Sequence, residues 1–147
     1  MKYLKREGFD RANLFGAGQT NDTFSQYFTG VSFLSPMVLP NEDMPLFISN
    51  VTFEPGCRTC WHIHTSDGAG GQQILICIAG EGWYVEEGKP TVELKEGVTV
   101  VIPANVKHWH GARKDSWFSH ISIAAPGVHT DTVWCEHVTD EEYDKLD

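Results

Sequence analysis

The feature that most constrains this chain is its series of short apolar runs, each ended by turn-forming residues. The runs are rich in valine, isoleucine and aromatic residues, or they alternate apolar with polar side chains, which is typical of β-strands. Turn sequences such as Glu54-Pro55-Gly56 and Glu87-Gly88-Lys89-Pro90 separate them. Strands so short and evenly spaced predict an all-β barrel or sandwich. The predicted strands are Val31–Leu34, Leu46–Phe53, Arg58–His64, Gln72–Ile78, Gly82–Glu86, Thr91–Leu94, Val98–Ile102, His108–Arg113, Trp117–Ala124 and Thr132–Val138.

Helix is sparse in the sequence, and the one clear helix signal lies at the C-terminus. Thr139 followed by Glu142 forms a capping box, which opens a short terminal helix. A chain of 147 residues has the size of one domain with a core of its own. We expect a single domain with an N-terminal arm and strand over 1–45, a barrel over 46–138 and the terminal helix over 139–147.

Composition excludes several classes of protein. The chain has 20 acidic residues against 11 lysines and arginines, a net charge of −9, which argues against binding to nucleic acid or anionic membranes. No apolar run approaches the roughly 20 residues of a membrane helix, and the N-terminus lacks the apolar stretch of a signal peptide. The four cysteines do not suggest a disulfide framework. We therefore expect a cytoplasmic protein whose ligand is a small molecule.

The chemistry of the sequence is concentrated in its histidines. Four of the seven form two His-x-His pairs, His62 with His64 and His108 with His110. Alternate residues of a strand face the same side, so each pair presents two imidazoles to one face, and two pairs inside a barrel would converge. The neutral imidazole is a good ligand for Zn, Fe, Mn, Co or Ni. We therefore favour a metal site over ordinary surface or core histidines.

The spacing around these pairs resembles the two sequence motifs of the cupin superfamily. Gly56-Cys-Arg-Thr-Cys-Trp-His62-Ile-His64, followed by Gln73 in a Gln-x6-Gly spacing, resembles the first motif. Gly97-Val-Thr-Val-Val-Ile-Pro103-Ala-Asn105-Val-Lys-His108 resembles the second. The resemblance spans about residues 48–124 and implies a jelly-roll barrel, or double-stranded β-helix. The metal ligands that it implies are His62, His64, Gln73 and His108.

The chain departs from the commonest cupin pattern at the fourth ligand. The usual glutamate is replaced by Gln73, and a long glycine-rich loop, Thr65–Gln72, follows the second histidine. Asp67 and Gln72 therefore remain alternatives, although the fixed spacing to Gly80 favours Gln73. A glutamine leaves the full charge on a divalent ion, which makes it a stronger Lewis acid and favours lyase or isomerase chemistry over oxidation.

A narrower resemblance covers the segments 51–64, 107–112 and 134–143 together with His120. These are similar to small bacterial single-domain cupins, which include manganese-dependent hydroxynitrile lyases and cupins associated with carboxymuconolactone decarboxylases. The hydroxynitrile lyases share the set of three histidines and one glutamine. The resemblance implies that a metal, manganese before iron, zinc, nickel or cobalt, binds the hydroxyl of a cyanohydrin. A base then removes the proton, and cyanide leaves an aldehyde.

The resemblance also implies roles for His110 and His120, the two other histidines of the predicted barrel. His120 becomes the candidate general acid and base, or a contact for cyanide. His110 is either a supporting or second acid–base group or simply a structural hydrogen-bonding residue.

Four further residues are expected in the substrate pocket. Arg58 and Cys60 have the same strand parity as His62, so both should face inward, where Arg58 would bind a carboxylate or else cap a strand end. We also place Val51 and Ser49 in the pocket.

Two other functions and an assembly remain open from the sequence. A cupin barrel also accommodates iron or manganese dioxygenases, and a non-catalytic metal-binding or ligand-binding protein fits the same residues. Exposed strand edges need cover, and the segment 1–50 is longer than the barrel requires, so it could lie across a partner subunit. We expect a homodimer or homotetramer.

Overall fold

The computed structural model describes residues 1–146, and it confirms the all-β class. Within those residues, short strands form two antiparallel sheets, and no helix is long and apolar enough to cross a membrane. The strands are β1 (Gln19–Thr20), β2 (Phe28–Thr29), β3 (Ser32–Val38), β4 (Phe47–Phe53), β5 (Arg58–Thr59), β6 (His62–Thr65), β7 (Gln73–Gly80), β8 (Gly82–Glu86), β9 (Val92–Leu94), β10 (Thr99–Ile102), β11 (Lys107–Ala112), β12 (Phe118–Ala124) and β13 (Asp131–Trp134).

The two sheets enclose one core. The first sheet has the order β1-β3-β4-β12-β7-β10, and the second has the order β13-β6-β11-β5-β2, with β8 and β9 added beside β11. Neighbouring strands are often distant in sequence, as in the pairing of Phe118 with Phe53, which is the connectivity of a jelly roll. Inward residues of both sheets fill the core, among them Phe53, Leu75, Tyr84, Leu94, Ile102 and Phe118.

A short helix covers the outer face of each sheet. The helix α1 (Arg6–Ala12) packs Phe9 against Trp117, with ring centroids 5.7 Å apart. No capping side chain marks its start, and this helix is not among the elements predicted from the sequence. The segment containing α1 therefore packs on the barrel of its own chain.

The C-terminal helix α2 (Asp140–Asp144) begins at the predicted capping box, which is fully formed between Thr139 and Glu142. It docks on the second sheet through Tyr143, whose hydroxyl donates a hydrogen bond to the Ala112 carbonyl at 2.7 Å. The helix is shorter than the predicted span 139–147, whose last residue lies outside the described residues.

The predicted strand Arg58–His64 is wrong as a single strand, because the structure divides it into β5 and β6. Arg58 lies opposite Gly111 and His62 lies opposite His108 on the same neighbour, β11. The interval is therefore three positions on β11 but four on the β5–β6 side. This extra residue acts as a β-bulge. Arg58 and Thr59 therefore face the opposite sides from those expected for one continuous strand through His62.

Candidate metal centre

Three histidines converge on the inner face of the second sheet. The strand β6 supplies His62 and His64, and β11 supplies His108 directly opposite His62. One ring nitrogen from each of the three lies within 4.8 Å of the others. The structure thus brings together the three histidines that the sequence placed in a metal site.

The backbone selects the tautomer of two of these rings. The His62 Nδ1 atom donates to the Cys60 carbonyl at 2.9 Å, and the His108 Nδ1 atom donates to the Val106 carbonyl at 3.1 Å. A carbonyl can only accept, so Nδ1 carries the proton in both rings and Nε2 keeps its lone pair. The His108 Nε2 atom is buried without a hydrogen-bond partner. An acceptor left unpaired costs about 1–3 kcal/mol, and a bound cation would satisfy it. The donors present therefore fit a divalent metal.

Burial keeps these rings neutral, as ligands must be. Burial first, and then the neighbouring His108 and His64 rings, lower the pKa of His62 well below its ordinary value. Burial also lowers the pKa of His64, against an opposing hydrogen bond to Gln73. The pKa of His108 falls to about 4, chiefly through burial. At neutral pH the three imidazoles are therefore uncharged.

Gln73 completes the cluster from the start of β7. Its Oε1 atom lies 2.9 Å from the His64 Nε2 atom, while its Nε2 atom donates to the Ser122 hydroxyl at 2.8 Å. Of the two alternatives for the fourth ligand, Asp67 is exposed and pairs with His129 at 3.0 Å. The other, Gln72, lines a neighbouring cavity of about 240 Å³ that His64 and Gln73 also line, but only Gln73 is hydrogen-bonded to His64 among the described residues. The arrangement therefore favours Gln73.

A cavity of about 250 Å³ opens from this cluster. Its volume is slightly below the roughly 300–1,000 Å³ typical of ligand sites, which suits a small substrate. Among residues 1–146, the side chains that line it include aromatic, aliphatic, hydroxyl, amide and imidazole groups but no carboxylate, ammonium or guanidinium. The lining residues are Asn21, Phe24, Phe28, Leu34, Phe47, Ser49, Val51, Thr59, His62, His64, Gln73, His110, His120, Ser122, Ala124, Thr132 and Trp134.

His110 and His120 form a buried pair in the wall of this cavity. The His120 Nε2 atom lies 3.2 Å from the His110 Nδ1 atom, so one ring donates to the other. Both outer nitrogens, His110 Nε2 and His120 Nδ1, are buried without a partner. Burial lowers the pKa of His120 to about 4 and holds the pKa of His110 well below its ordinary value, with the His120 ring adding to the shift of His110. The pair is therefore a neutral group in the cavity wall, with two buried ring nitrogens that lack a hydrogen-bond partner.

The four predicted pocket residues divide into two groups. Ser49 and Val51 line the cavity, and the Ser49 hydroxyl is buried without a partner. Arg58 and Cys60 do not line it, which corrects the expectation from strand parity, because the bulge between β5 and β6 turns both away. Arg58 instead donates to the Val138 carbonyl and to Asp140, at 2.9 and 2.7 Å.

Sequence reasoning missed several residues of the cavity. Ser122 follows His120 by two positions on β12, so strand parity could have found it. Thr59 faces inward only because of the bulge, and nothing local in the sequence marks that bulge. Trp134 stacks on Tyr27 with ring centroids 4.2 Å apart and lies 5.0 Å from the His62 ring. Its position depends on pairing between distant strands.

The structure thus defines a small antiparallel barrel with a buried three-histidine centre suited to a divalent metal. The sequence match to the Cupin domain family covers residues 49–123, and the chain belongs to that family. Its all-β jelly-roll architecture agrees with that assignment.

Individual relatives sharpen this comparison. An (R)-mandelonitrile lyase of Granulicella tundricola is 36% identical over 119 residues, covering 81% of this chain and 87% of that protein. A cupin-like protein from Thermotoga maritima is 41% identical with a TM-score of 0.78, covering 90% of this chain and 95% of that one. The DMSP lyase DddQ from Ruegeria pomeroyi, 19% identical with a TM-score of 0.57 over 95% of this chain and 63% of that one, shares the fold alone.

Proposed function

We propose that this protein is a metal-dependent lyase that cleaves a small hydroxynitrile into an aldehyde and hydrogen cyanide, with manganese as its metal. The observation that carries the proposal is the pairing of His110 with His120 beside the three-histidine cluster, at the wall of one cavity. Such a site combines a place for a Lewis acid with a place for a proton acceptor. The similarity to an (R)-mandelonitrile lyase supports the same chemistry.

The charge of the cavity supports a neutral substrate. The described residues that line it carry no ionic side chain, and its apolar wall includes Phe24, Phe47 and Trp134. Arg58, the cation that the sequence suggested for a carboxylate, is bonded to the Val138 carbonyl outside the cavity. A carboxylate or phosphate would find no cationic side chain there, so only a bound metal could offset its lost hydration. A hydroxynitrile with an apolar substituent meets no such penalty.

The fourth ligand also favours this reaction type. With Gln73 in place of a carboxylate, the donor set His62, His64, Gln73 and His108 is neutral. A bound divalent ion therefore keeps its full charge and supplies Lewis acidity toward a hydroxyl or carbonyl oxygen.

The proton transfers belong to the histidine pair. In the tautomer in which His120 Nε2 donates to His110 Nδ1, the His120 Nδ1 atom holds a lone pair and accepts the proton of the substrate hydroxyl. His110 then shares the resulting positive charge through the hydrogen bond between the two rings. As the carbonyl double bond forms, the bond between the two carbons breaks, and its electron pair leaves with cyanide. The same imidazolium then returns the proton to cyanide, which releases hydrogen cyanide and restores the neutral pair. The unpartnered Ser49 hydroxyl is available to donate a hydrogen bond to the nitrile nitrogen.

The proposal is tested by metal content and cyanide release. Protein purified without a histidine tag is analysed for metal, supplied with manganese and assayed for cleavage of (R)-mandelonitrile and its mirror image. We expect about one metal per chain and cyanide release that a chelator abolishes and manganese restores. Stoichiometric metal without cyanide release from either substrate would overturn the lyase and direct attention to oxygenase or ligand-binding roles. A protein that binds no metal would overturn the metal centre as well.

A further inference from the structure

The amide of Gln73 is held at both of its ends. Its oxygen faces the His64 Nε2 atom at 2.9 Å, and its nitrogen donates to the Ser122 hydroxyl at 2.8 Å. Ser122 lies in the middle of β12, which pairs with β4 on one side and β7 on the other. The backbone that carries the serine is therefore fixed by two neighbouring strands.

The orientation of this amide decides whether Gln73 is a ligand. The carbonyl oxygen of an amide has lone pairs to offer a cation, but its NH2 group carries two donors and no available lone pair. The two orientations occupy nearly the same volume, so hydrogen-bond partners choose between them. In the metal-free protein His64 helps, since its Nε2 atom donates to the amide oxygen. Once His64 Nε2 gives its lone pair to a metal, that bond is gone and Ser122 remains as the partner.

We propose that Ser122 is a positioning residue of the metal centre, which accepts a hydrogen bond from Gln73 and so keeps the amide oxygen directed at the metal. The inference rests on the metal-dependent function proposed above but not on the identity of the substrate. Partners that orient a metal ligand are typically worth about 10–100-fold in metal affinity.

A matched pair of substitutions at Ser122 tests whether its hydroxyl group is what matters for metal binding. Threonine and valine have nearly the same shape and both suit a strand, but only threonine can accept the hydrogen bond. The affinity for manganese is measured by competition with a chromogenic chelator. We expect Ser122→Val to weaken binding about 10-fold or more and Ser122→Thr to retain nearly all of it. Ser119→Ala is the control, because Ser119 lies on the opposite face of β12 and bonds to Asn13 instead.

The same substitution in a Gln73→Glu protein distinguishes loss of amide orientation from a general disturbance of the metal site. In Gln73→Glu both side-chain oxygens can act as ligands, so orientation no longer matters and adding Ser122→Val should then change the metal affinity little. Equal losses in both backgrounds, or equal affinities for the Thr and Val variants, would overturn the role of Ser122. A parent protein that binds no manganese would instead overturn the metal centre, so the two failures are distinguishable.

Discussion

Each histidine of the centre has two ring nitrogens, and the partner of one decides what the other can do. Backbone carbonyls take the Nδ1 protons of His62 and His108, which leaves both Nε2 atoms as acceptors. These carbonyls belong to Cys60 and Val106, each two positions before its ring, so the chain just ahead of β6 and β11 orients these two ligands. These two ligands are therefore prepared for a metal before one binds, whereas His64 donates through Nε2 to Gln73 and has to change its tautomer.

Removal of a ligand histidine tests the centre directly. We expect His62→Ala and His108→Ala each to lose stoichiometric metal, because each removes one of only three imidazoles and manganese has the lowest affinity of the divalent first-row metals for such sites. Gln73→Ala should weaken binding less severely, and Asp67→Ala should leave it unchanged, since Asp67 pairs with His129 at the surface. Elemental analysis after dialysis measures the outcome. Full metal content in both histidine variants would rule out the site.

The proposed base can be removed without touching a ligand. His120→Phe places an aromatic ring among Phe53 and Phe118, which already contact this side chain. We expect metal content to persist while cyanide release falls about 100-fold or more, the usual contribution of general acid–base catalysis. His129→Ala, at an exposed histidine, serves as the control. A His120→Phe enzyme with undiminished turnover would exclude this residue as the base.

At the scale of elements, the bulge between β5 and β6 directs the neighbouring residues Arg58 and Thr59 to opposite faces of the sheet. It turns Thr59 to the cavity and Arg58 to the outer face, where the guanidinium lies 4.3 Å from the centre of the Tyr143 ring. Arg58 is only 5% exposed there, whereas its partner Asp140 is 87% exposed. The arginine therefore anchors the C-terminal helix to the barrel.

This anchor predicts unequal costs for its two partners. Arg58→Ala leaves the buried Val138 carbonyl unpaired and should lower the free energy of unfolding by about 2–4 kcal/mol. Asp140→Ala should cost less than about 1 kcal/mol, because an exposed carboxylate contributes little and the carbonyl keeps its partner. Urea denaturation measures both. Equal costs would contradict this account of how the helix is held.

At the scale of the whole molecule, buried neutral histidines make stability depend on pH. His120 has its pKa lowered to about 4 in the folded protein, against an ordinary value of 6.5. The unfolded chain therefore takes up a proton as the pH falls below about 6.5, while the folded protein does not, and acid favours unfolding.

The metal-free protein should thus lose stability between pH 6.5 and pH 4. We expect His120 to account for a loss on the order of 1–2 kcal/mol at pH 5, and His120→Phe should reduce that part of the loss. Urea denaturation at pH 7 and pH 5 measures it for both proteins. An identical pH dependence in the variant would mean that His120 contributes nothing.

Assembly is the second property at this scale. Apolar side chains are exposed around the β3–β4 connection, with Met37, Leu39 and Met44 at 40%, 66% and 45% exposure. We propose that they are covered in a homodimer or homotetramer. Light scattering coupled to size-exclusion chromatography should give a multiple of the 16.5 kDa chain mass. We expect Leu39→Lys to shift the protein toward monomer, and a monomeric parent would contradict the proposal.

The sequence by itself determined the features that depend on short-range order. Alternation and turn residues specify strands, the capping box from Thr139 to Glu142 specifies α2, and the spacing of His62 and His64 fixes two rings on one face. Each of these features depends on residues two or three positions apart: side chains alternate along a strand, and a capping box joins the N-cap residue to the residue three positions later. They can therefore be recognised in the sequence alone. The all-β class and the common facing of His62 and His64 were predictable for that reason, whereas the addition of His108 to the ligand set was implied by the resemblance to cupins.

Only the tertiary structure decided what depends on how distant strands pair. The bulge opposite β11 turned Arg58 outward, and strand pairing brought Ser122 to the amide of Gln73. The contact between His110 and His120 likewise joins β11 to β12, which lie in different sheets. The side-chain period of a strand is local, but its register is set by its neighbours. A single extra residue on one side of a pair therefore changes which side chains reach the cavity.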